Sequence, residues 1–157
     1  MRVLLFGGTF DPPHNGHLNN LKAAVQAVQP DEVVVMPAGV PPHKKASSTP
    51  AGLRYAMCGC FEELFRLPSS PRFTLSDWEI RRAEQGYRNY SVDTLKMLGQ
   101  PRPGAELYMT VGSDMLLGFT KWHDWQTILK LCVLVVQSRQ PGDDRLLSEQ
   151  AEQLQAQ

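Results

Sequence analysis

The order strand, helix, strand at the start of the chain restricts the fold more than any other feature. Arg2 to Phe6 is a short apolar run that stops at Gly7-Gly8, so it reads as a buried strand. From Gly16 to about Val28, apolar residues recur at Leu18, Leu21, Val25 and Val28, which is helical spacing. Pro30-Asp31 breaks that pattern, and Glu32 to Met36 is a second apolar run. Such a βαβ unit requires parallel pairing and a right-handed crossover.

The remaining chain continues the alternation. Residues 37–50 are rich in proline, lysine and serine and read as a loop. Thr49-Pro50 suits an N-cap and first helical position, and Leu53, Met57, Cys60, Phe61, Leu64 and Phe65 form one apolar stripe behind it. That stripe puts Cys60 in the core and points Cys58 elsewhere. Pro68 to Arg72 reads as a turn and Phe73 to Leu75 as a short strand. Ser91 to Leu98 is helical with Ser91 as its cap, and Glu106 to Val111 is a strand ending at Gly112. A helix follows from about Thr120 to Leu131, then a last buried strand from Cys132 to Val136, and a glutamine-rich tail from Leu146. Four or five strands alternating with helices predict an α/β, mostly parallel sheet with helices on both faces. Ligands in such sheets sit beyond the carboxyl ends of strands.

Bulk properties bound the function. The 157 residues fit one domain, residues 1–157, on a prior of roughly 100–200 residues per domain. Sixteen basic residues balance sixteen acidic ones, which argues against a broad surface for a nucleic acid polymer or an anionic membrane. Three cysteines, at 58, 60 and 132, make no disulfide framework and no zinc-ribbon pair, and suggest a reducing compartment. The N-terminal apolar run is too short for a signal peptide or a membrane span, so a cytoplasmic protein is expected. Self-association into a homo-oligomer is compatible with this sequence, which does not specify it.

The residues that carry chemistry follow the strands. Gly7-Gly8-Thr9-Phe10-Asp11-Pro12-Pro13-His14-Asn15-Gly16-His17 joins the first strand to the first helix. Gly7 and Gly8 let the backbone approach a ligand, and the helix N-terminus offers free N–H groups to phosphate. His14 and His17 lie three apart, so both rings face one ligand from the first turn and donate hydrogen bonds to charge built up in phosphoryl transfer. The loop is neither a Walker A loop nor a dinucleotide fingerprint.

His14-x-x-His17 after Gly-Gly-Thr-Phe-Asp-Pro resembles the signature of the nucleotidyltransferase α/β-phosphodiesterase superfamily. The resemblance implies a Rossmann-like fold and direct attack of a substrate phosphate on the α-phosphorus of ATP, without a covalent enzyme intermediate. It implies that His14 and His17 stabilise the transition state, and that Gly7, Gly8, Thr9 and Phe10 border the ATP. Mg²⁺ would travel with the triphosphate, since no cluster of acidic ligands is apparent and no protein metal site is expected.

Further segments along the chain look like one branch, the bacterial nicotinate-nucleotide adenylyltransferases. Pro37-Ala38-Gly39-Val40-Pro41-Pro42-His43-Lys44 looks like that family's loop after the second strand. Its counterpart residues would be Ala38 and His43 toward nicotinate mononucleotide and Lys44 toward ATP; read alone, the segment is a solvated basic loop. Asp77-x-Glu79-x-x-Arg82 and Tyr90-Ser91-Val92-Asp93-Thr94-Leu95 are similar to its acidic-basic strand and following helix start. Ser91 would bind the nicotinate end, while Asp77, Glu79 and Arg82 read alone as a structural ion-pair set. Val111-Gly112-Ser113-Asp114 ends a strand, where Gly112 allows close approach and Asp114 either holds the ATP ribose or caps a helix. Lys121-Trp122-His123-Asp124-Trp125 resembles the family's Trp-x-x-Trp/Tyr region, with Trp122 stacking on the pyridine ring, Trp125 in the core and His123 facing solvent. Arg139 after the last strand would reach the nucleotide's phosphate or base edge.

These motifs span positions 7 to 139. Family members usually continue into a Ser-Ser/Thr-x-x-Arg segment at a helix N-terminus that grips the triphosphate. No such segment appears, so a fold truncated at its C-terminus relative to the family, without its final helical portion, is expected. The reaction implied is transfer of AMP from ATP to nicotinate mononucleotide, in NAD biosynthesis. The alternatives are a pantetheine-phosphate adenylyltransferase, which shares the histidine pair but lacks the Pro-Pro-His-Lys loop and the Trp-His-x-Trp helix; a cytidylyltransferase, which ranks lower still; and a non-catalytic nucleotide-binding remnant.

Overall fold

A computed structural model describes residues 1–39 and 49–137, with Asp114 described by its backbone alone. β1 (Arg2–Gly8), α1 (Asn15–Val28) and β2 (Glu32–Pro37) form the expected βαβ unit. Then come α2 (Ala51–Met57), a 3-10 segment (Cys58–Phe65), β3 (Arg72–Leu75), α3 (Trp78–Glu84), α4 (Ser91–Gly99) and β4 (Glu106–Gly112). After these lie α5 (Ser113–Leu117), a 3-10 turn (Phe119–Lys121), α6 (Trp125–Leu131) and β5 (Cys132–Gln137). The five strands are all parallel, in the order β3-β2-β1-β4-β5. The chain winds outward from β1 to β3, then returns to place β4 on the other side of β1. That reversal opens a crevice between the carboxyl ends of β1 and β4, the usual ligand position in a doubly wound sheet.

Strand alternation divides the core in two. Val3, Leu5, Val34 and Met36 face Val92, Leu95 and Leu98 of α4 and Ile128 of α6. Leu4, Phe6, Val33 and Val35 face Leu21, Ala24 and Val28 of α1, with Cys58 and Phe61 beside them. Both sheet faces are therefore covered, which explains why the strands read as continuous apolar runs. At the foot of β2 the buried Glu32 receives Arg102 in a two-pronged pair, Nε to Oε1 at 2.8 Å and Nη2 to Oε2 at 3.0 Å. Thr74 Oγ1 adds a third donor at 2.8 Å. The Arg102 guanidinium holds the Glu32 carboxyl below the usual carboxylate range, against the opposing effect of burial.

Several expectations need correction. The second helix begins at Ala51, with Pro50 at its cap position, so neither Thr49 nor Pro50 stands where the sequence put it. Cys58 is buried and Cys60 exposed, the reverse of the stripe reading. Two causes combine: α2 turns Arg54 inward and leaves Leu53 outside, and the helix then tightens to 3-10 geometry. There each residue advances about 120° rather than about 100°, so a stripe drawn at α-helical period falls out of phase. The acidic-basic segment Asp77–Arg82 is largely helix α3, not strand. Ser91 is the first residue of α4, and Tyr90 holds the cap position. The helix expected from Thr120 to Leu131 is broken at residues 122–124, where Trp122 is extended and Asp124 is left-handed at φ 53°. Among the described residues, no helix is long and apolar enough to cross a membrane.

Candidate active site

The crevice is lined first by the loop after β1. Gly7-Gly8 closes the strand, and the Gly8 carbonyl accepts the Ala38 N–H at 2.8 Å, lacing the ends of β1 and β2 together. Phe10 then adopts a left-handed φ of 53° and drops its ring into the core, 5.6 Å from Phe6 and 5.5 Å from Phe61. That conformation costs about 1–3 kcal/mol, which burial of the ring offsets. Phe10 thus presents backbone, not its ring, to the crevice. Its edge supports His17, with ring centroids 4.9 Å apart at 71°.

The two histidines start α1. His14 is the cap residue, and its Nδ1 accepts the Gly16 N–H at 3.0 Å; His17 Nδ1 accepts the His14 N–H at 3.0 Å. This is a reciprocal capping box in which imidazoles replace the common hydroxyl and carboxylate. With both Nδ1 atoms accepting, each neutral ring carries its proton on Nε2. The rings lie 3.9 Å apart and tilted by 32°, so the cap fixes two donors side by side. The arrangement depends on Gly16, since a Cβ there would lie 2.8 Å from His14 Cε1. The first turn of α1 carries no acidic residue, leaving its positive end to an anion.

The loop after β2 is held from below and from the side. Arg54 of α2 is buried and donates from Nη1 to the Thr9 and Ala38 carbonyls at 2.9 and 2.7 Å, and from Nη2 to the Gly39 carbonyl at 3.0 Å. Asn89 Oδ1 accepts the Gly39 N–H at 3.2 Å, and Asn89 Nδ2 donates to the Glu79 carbonyl at 3.1 Å. Gly39 has no room for a side chain: a Cβ would lie 2.5 Å from Ala83 Cβ and 2.7 Å from the Glu79 carbonyl oxygen. The Glu79 carboxylate accepts from Thr94 Oγ1 at 2.9 Å. Burial pushes this carboxyl up to about 7, outweighing the Thr94 hydrogen bond that pulls it down. Asp77 pairs with Arg81 at 2.9 Å, not Arg82, while the Arg82 guanidinium lies over the Tyr87 ring at 4.1 Å and the Trp78 ring at 5.2 Å. The expected ion-pair set is therefore dispersed, because on a helix Asp77 and Arg81 are one turn apart.

An aromatic group packs between β4 and α6. Trp122 is partly buried against Phe119, with centroids 5.1 Å apart, and Trp125 meets the same ring edge-on at 6.4 Å. His123 is exposed, as expected, but its ring stacks on Tyr90 at 4.1 Å and 27°. That stack ties the 122–124 bend to the N-terminus of α4, where Ser91 lies partly buried. Gly112 ends β4 and is buried, with Ser113 opening α5.

The cytidylyltransferase-like family matches residues 5–155 of this chain. The chain belongs to that family. Its curated relatives include the probable nicotinate-nucleotide adenylyltransferase of Acidithiobacillus ferrooxidans, 42% identical over 140 residues, covering 89% of this chain and 60% of the relative. The probable nicotinate-nucleotide adenylyltransferase of Clostridium kluyveri is 37% identical over 153 residues, covering 97% of this chain and 71% of the relative. The chain spans about three-fifths of the length of the first of these. Among solved structures, the nicotinic acid mononucleotide adenylyltransferase of Plasmodium falciparum complexed with NaAD has the same fold, at TM-score 0.74 and 18% identity, covering 95% of this chain and 70% of that one.

Within this member of the family, the structure brings Gly7, Gly8, Thr9, His14, His17 and Ala38 to one edge of the sheet, with Gly112 at the end of β4. His43, Lys44 and Arg139 lie outside the described residues, as does the side chain of Asp114. Apolar spacing and motifs give Arg54 and Asn89 no role, and they include Gly16 and Gly39 without showing what each one's missing side chain permits. An arginine inside Leu53-Arg54-Tyr55-Ala56-Met57 was the available signal for the first; the glycines reveal themselves only through what surrounds them. Burial pushes the Cys58 and Cys132 thiols up to about 12, so neither is a nucleophile at neutral pH. Among the described residues, no group of three or more His, Cys, Asp or Glu could hold a metal ion.

Proposed function

We propose that this chain transfers AMP from ATP to nicotinate mononucleotide, giving nicotinate adenine dinucleotide and pyrophosphate, in NAD biosynthesis. The observation that carries the reading is the interlocked pair of imidazoles at the N-terminus of α1, beside the crevice where the strand order reverses. A phosphate oxygen of nicotinate mononucleotide attacks the α-phosphorus. The bond from the α-phosphorus to the bridging oxygen breaks, and pyrophosphate leaves; a divalent ion carried by the nucleotide would neutralise charge on the leaving group. The Nε2–H groups of His14 and His17 donate to charge gathering on the phosphoryl oxygens. ATP lies against the backbone of Gly7, Gly8, Thr9 and Phe10 and against Gly112 and Asp114. Nicotinate mononucleotide lies between Ala38, Ser91 and the Trp122 ring, whose face suits a flat electron-poor heterocycle. The whole chain acts as one nucleotidyltransferase domain in the cytoplasm, and Mg²⁺ arrives with the substrate rather than in a protein site.

The names of the curated relatives support this acceptor over phosphopantetheine. A coupled pyrophosphate assay with ATP, Mg²⁺ and each of nicotinate mononucleotide, nicotinamide mononucleotide and phosphopantetheine tests the reading. Release with the first acceptor is expected, and release only with phosphopantetheine would transfer the chain to the other branch. Binding of nicotinate mononucleotide without pyrophosphate release would make it a non-catalytic nucleotide-binding protein.

A further inference from the structure

Arg54 is the largest fully buried side chain among the described residues, 2% exposed. A buried guanidinium is expensive to desolvate, and an apolar side chain of similar volume would fill the space more cheaply. Among the described residues it forms no ion pair, and its Nε has no acceptor. Its three hydrogen bonds among the described residues all go to main-chain carbonyls, and these belong to two different loops: Thr9 after β1, and Ala38 and Gly39 after β2. Its planar fork therefore fixes the distance and angle between the loop after β1, which leads to His14, and the neighbouring loop after β2. Asn89 holds Gly39 from the opposite side, so the second loop is gripped at both its N–H and its carbonyl.

We propose that Arg54 is a positioning residue that locks the two loops in register, so that a phosphate bound on one meets the α-phosphorus bound on the other. The proposal rests on the nucleotidyl-transfer reading above. Misplacement of reacting groups by about 1 Å costs on the order of 100-fold in rate, whereas each substrate's own contacts survive a small relative shift of the loops. Loss of Arg54 should therefore act on kcat more than on either KM.

The test compares the unsubstituted chain with Arg54→Met and Arg54→Lys. It measures amide hydrogen exchange by NMR and adenylyl-transfer kinetics normalised to folded protein. In Arg54→Met, exchange at Ala38 and Gly39 should rise at least ~10-fold relative to Val33–Val35, and kcat should fall at least ~30-fold with each KM within about 3-fold. Arg54→Lys, which cannot reach all three carbonyls, should lie between the two, about 3- to 10-fold below the unsubstituted kcat. A residue that only supports folding would lower the melting temperature and leave kcat per folded molecule unchanged; that result, with unchanged exchange, would overturn the proposal. If Arg54→Met does not fold, Arg54→Lys decides, and unsubstituted exchange and kcat in that variant would overturn it. No transfer by the unsubstituted chain would count against the reaction itself, and Arg54 would then stand or fall on exchange at Ala38 and Gly39.

Discussion

In the proposed reaction His14 holds two jobs in one ring: Nδ1 caps the helix, and Nε2–H donates to substrate. Substitution separates them. Asparagine is a good cap but lacks the second donor at that reach, so His14→Asn should retain stability within about 0.5 kcal/mol. His14→Ala should lose about 1 kcal/mol in denaturant unfolding. Both should lose at least ~100-fold in turnover if the ring donates in the transition state. Equal turnover in either variant and the unsubstituted chain would remove His14 from the chemistry. Glu79 poses a different question at the same scale. Its carboxyl is raised to about 7 in the folded protein, so the folded state holds a proton that the unfolded state releases near 4.5. Stability from this group is complete below that lower value and is lost as pH rises through about 7, a fall on the order of 3 kcal/mol. Glu79→Gln keeps an acceptor for Thr94 and should flatten urea-unfolding stability between pH 5 and 8; an unchanged slope would show that another group titrates.

Elements were legible in the sequence to unequal degrees, and the reasons are physical. The buried strands were plain because parallel strands covered on both faces have no polar side to blur the pattern. The first helix was plain because its apolar period continues to Val28 and stops at a left-handed Gln29 before Pro30. The second departs from its apolar spacing because a buried arginine, bonded to three carbonyls, sets its rotation. The expected strand at Asp77–Arg82 failed because a local ion pair four residues apart and the covered side chain of Ile80 suit a helix. The histidine pair was readable from spacing, but its interlocking caps were not, because they need backbone geometry. Gly39 stands in a quoted motif, but the need for glycine there shows only in what surrounds it. Gly39→Ala must push the loop away from Ala83 and Glu79. A loss of about 10-fold in affinity for nicotinate mononucleotide is expected by calorimetry, with melting changed by only a few degrees. Unaltered affinity would separate this loop from the ligand.

Across the whole molecule, the two ends of the sheet differ. The carboxyl ends of β1 and β4 open the crevice, and the opposite end is closed by Glu32 and Arg102, which tie β2 to the segment before β4. Arg102→Met leaves a buried carboxylate without its partner and should cost about 3 kcal/mol at neutral pH. Because the Glu32 carboxyl is held below its ordinary value of 4.5, that gap is full above 4.5 and should close as pH falls below it, the opposite direction to Glu79. A gap independent of pH would mean that packing, not charge, is lost. In the proposed reaction nicotinate mononucleotide and ATP meet where the strand order reverses. Amide and indole NMR shifts, followed while nicotinate mononucleotide and then a non-hydrolysable ATP analogue with Mg²⁺ are added, test it most directly. Shifts at Gly7, Gly8, Ala38, Ser91, Gly112 and the Trp122 indole, with Gly99 and Ala105 at the opposite end unmoved, are predicted; shifts confined to that opposite end would contradict it.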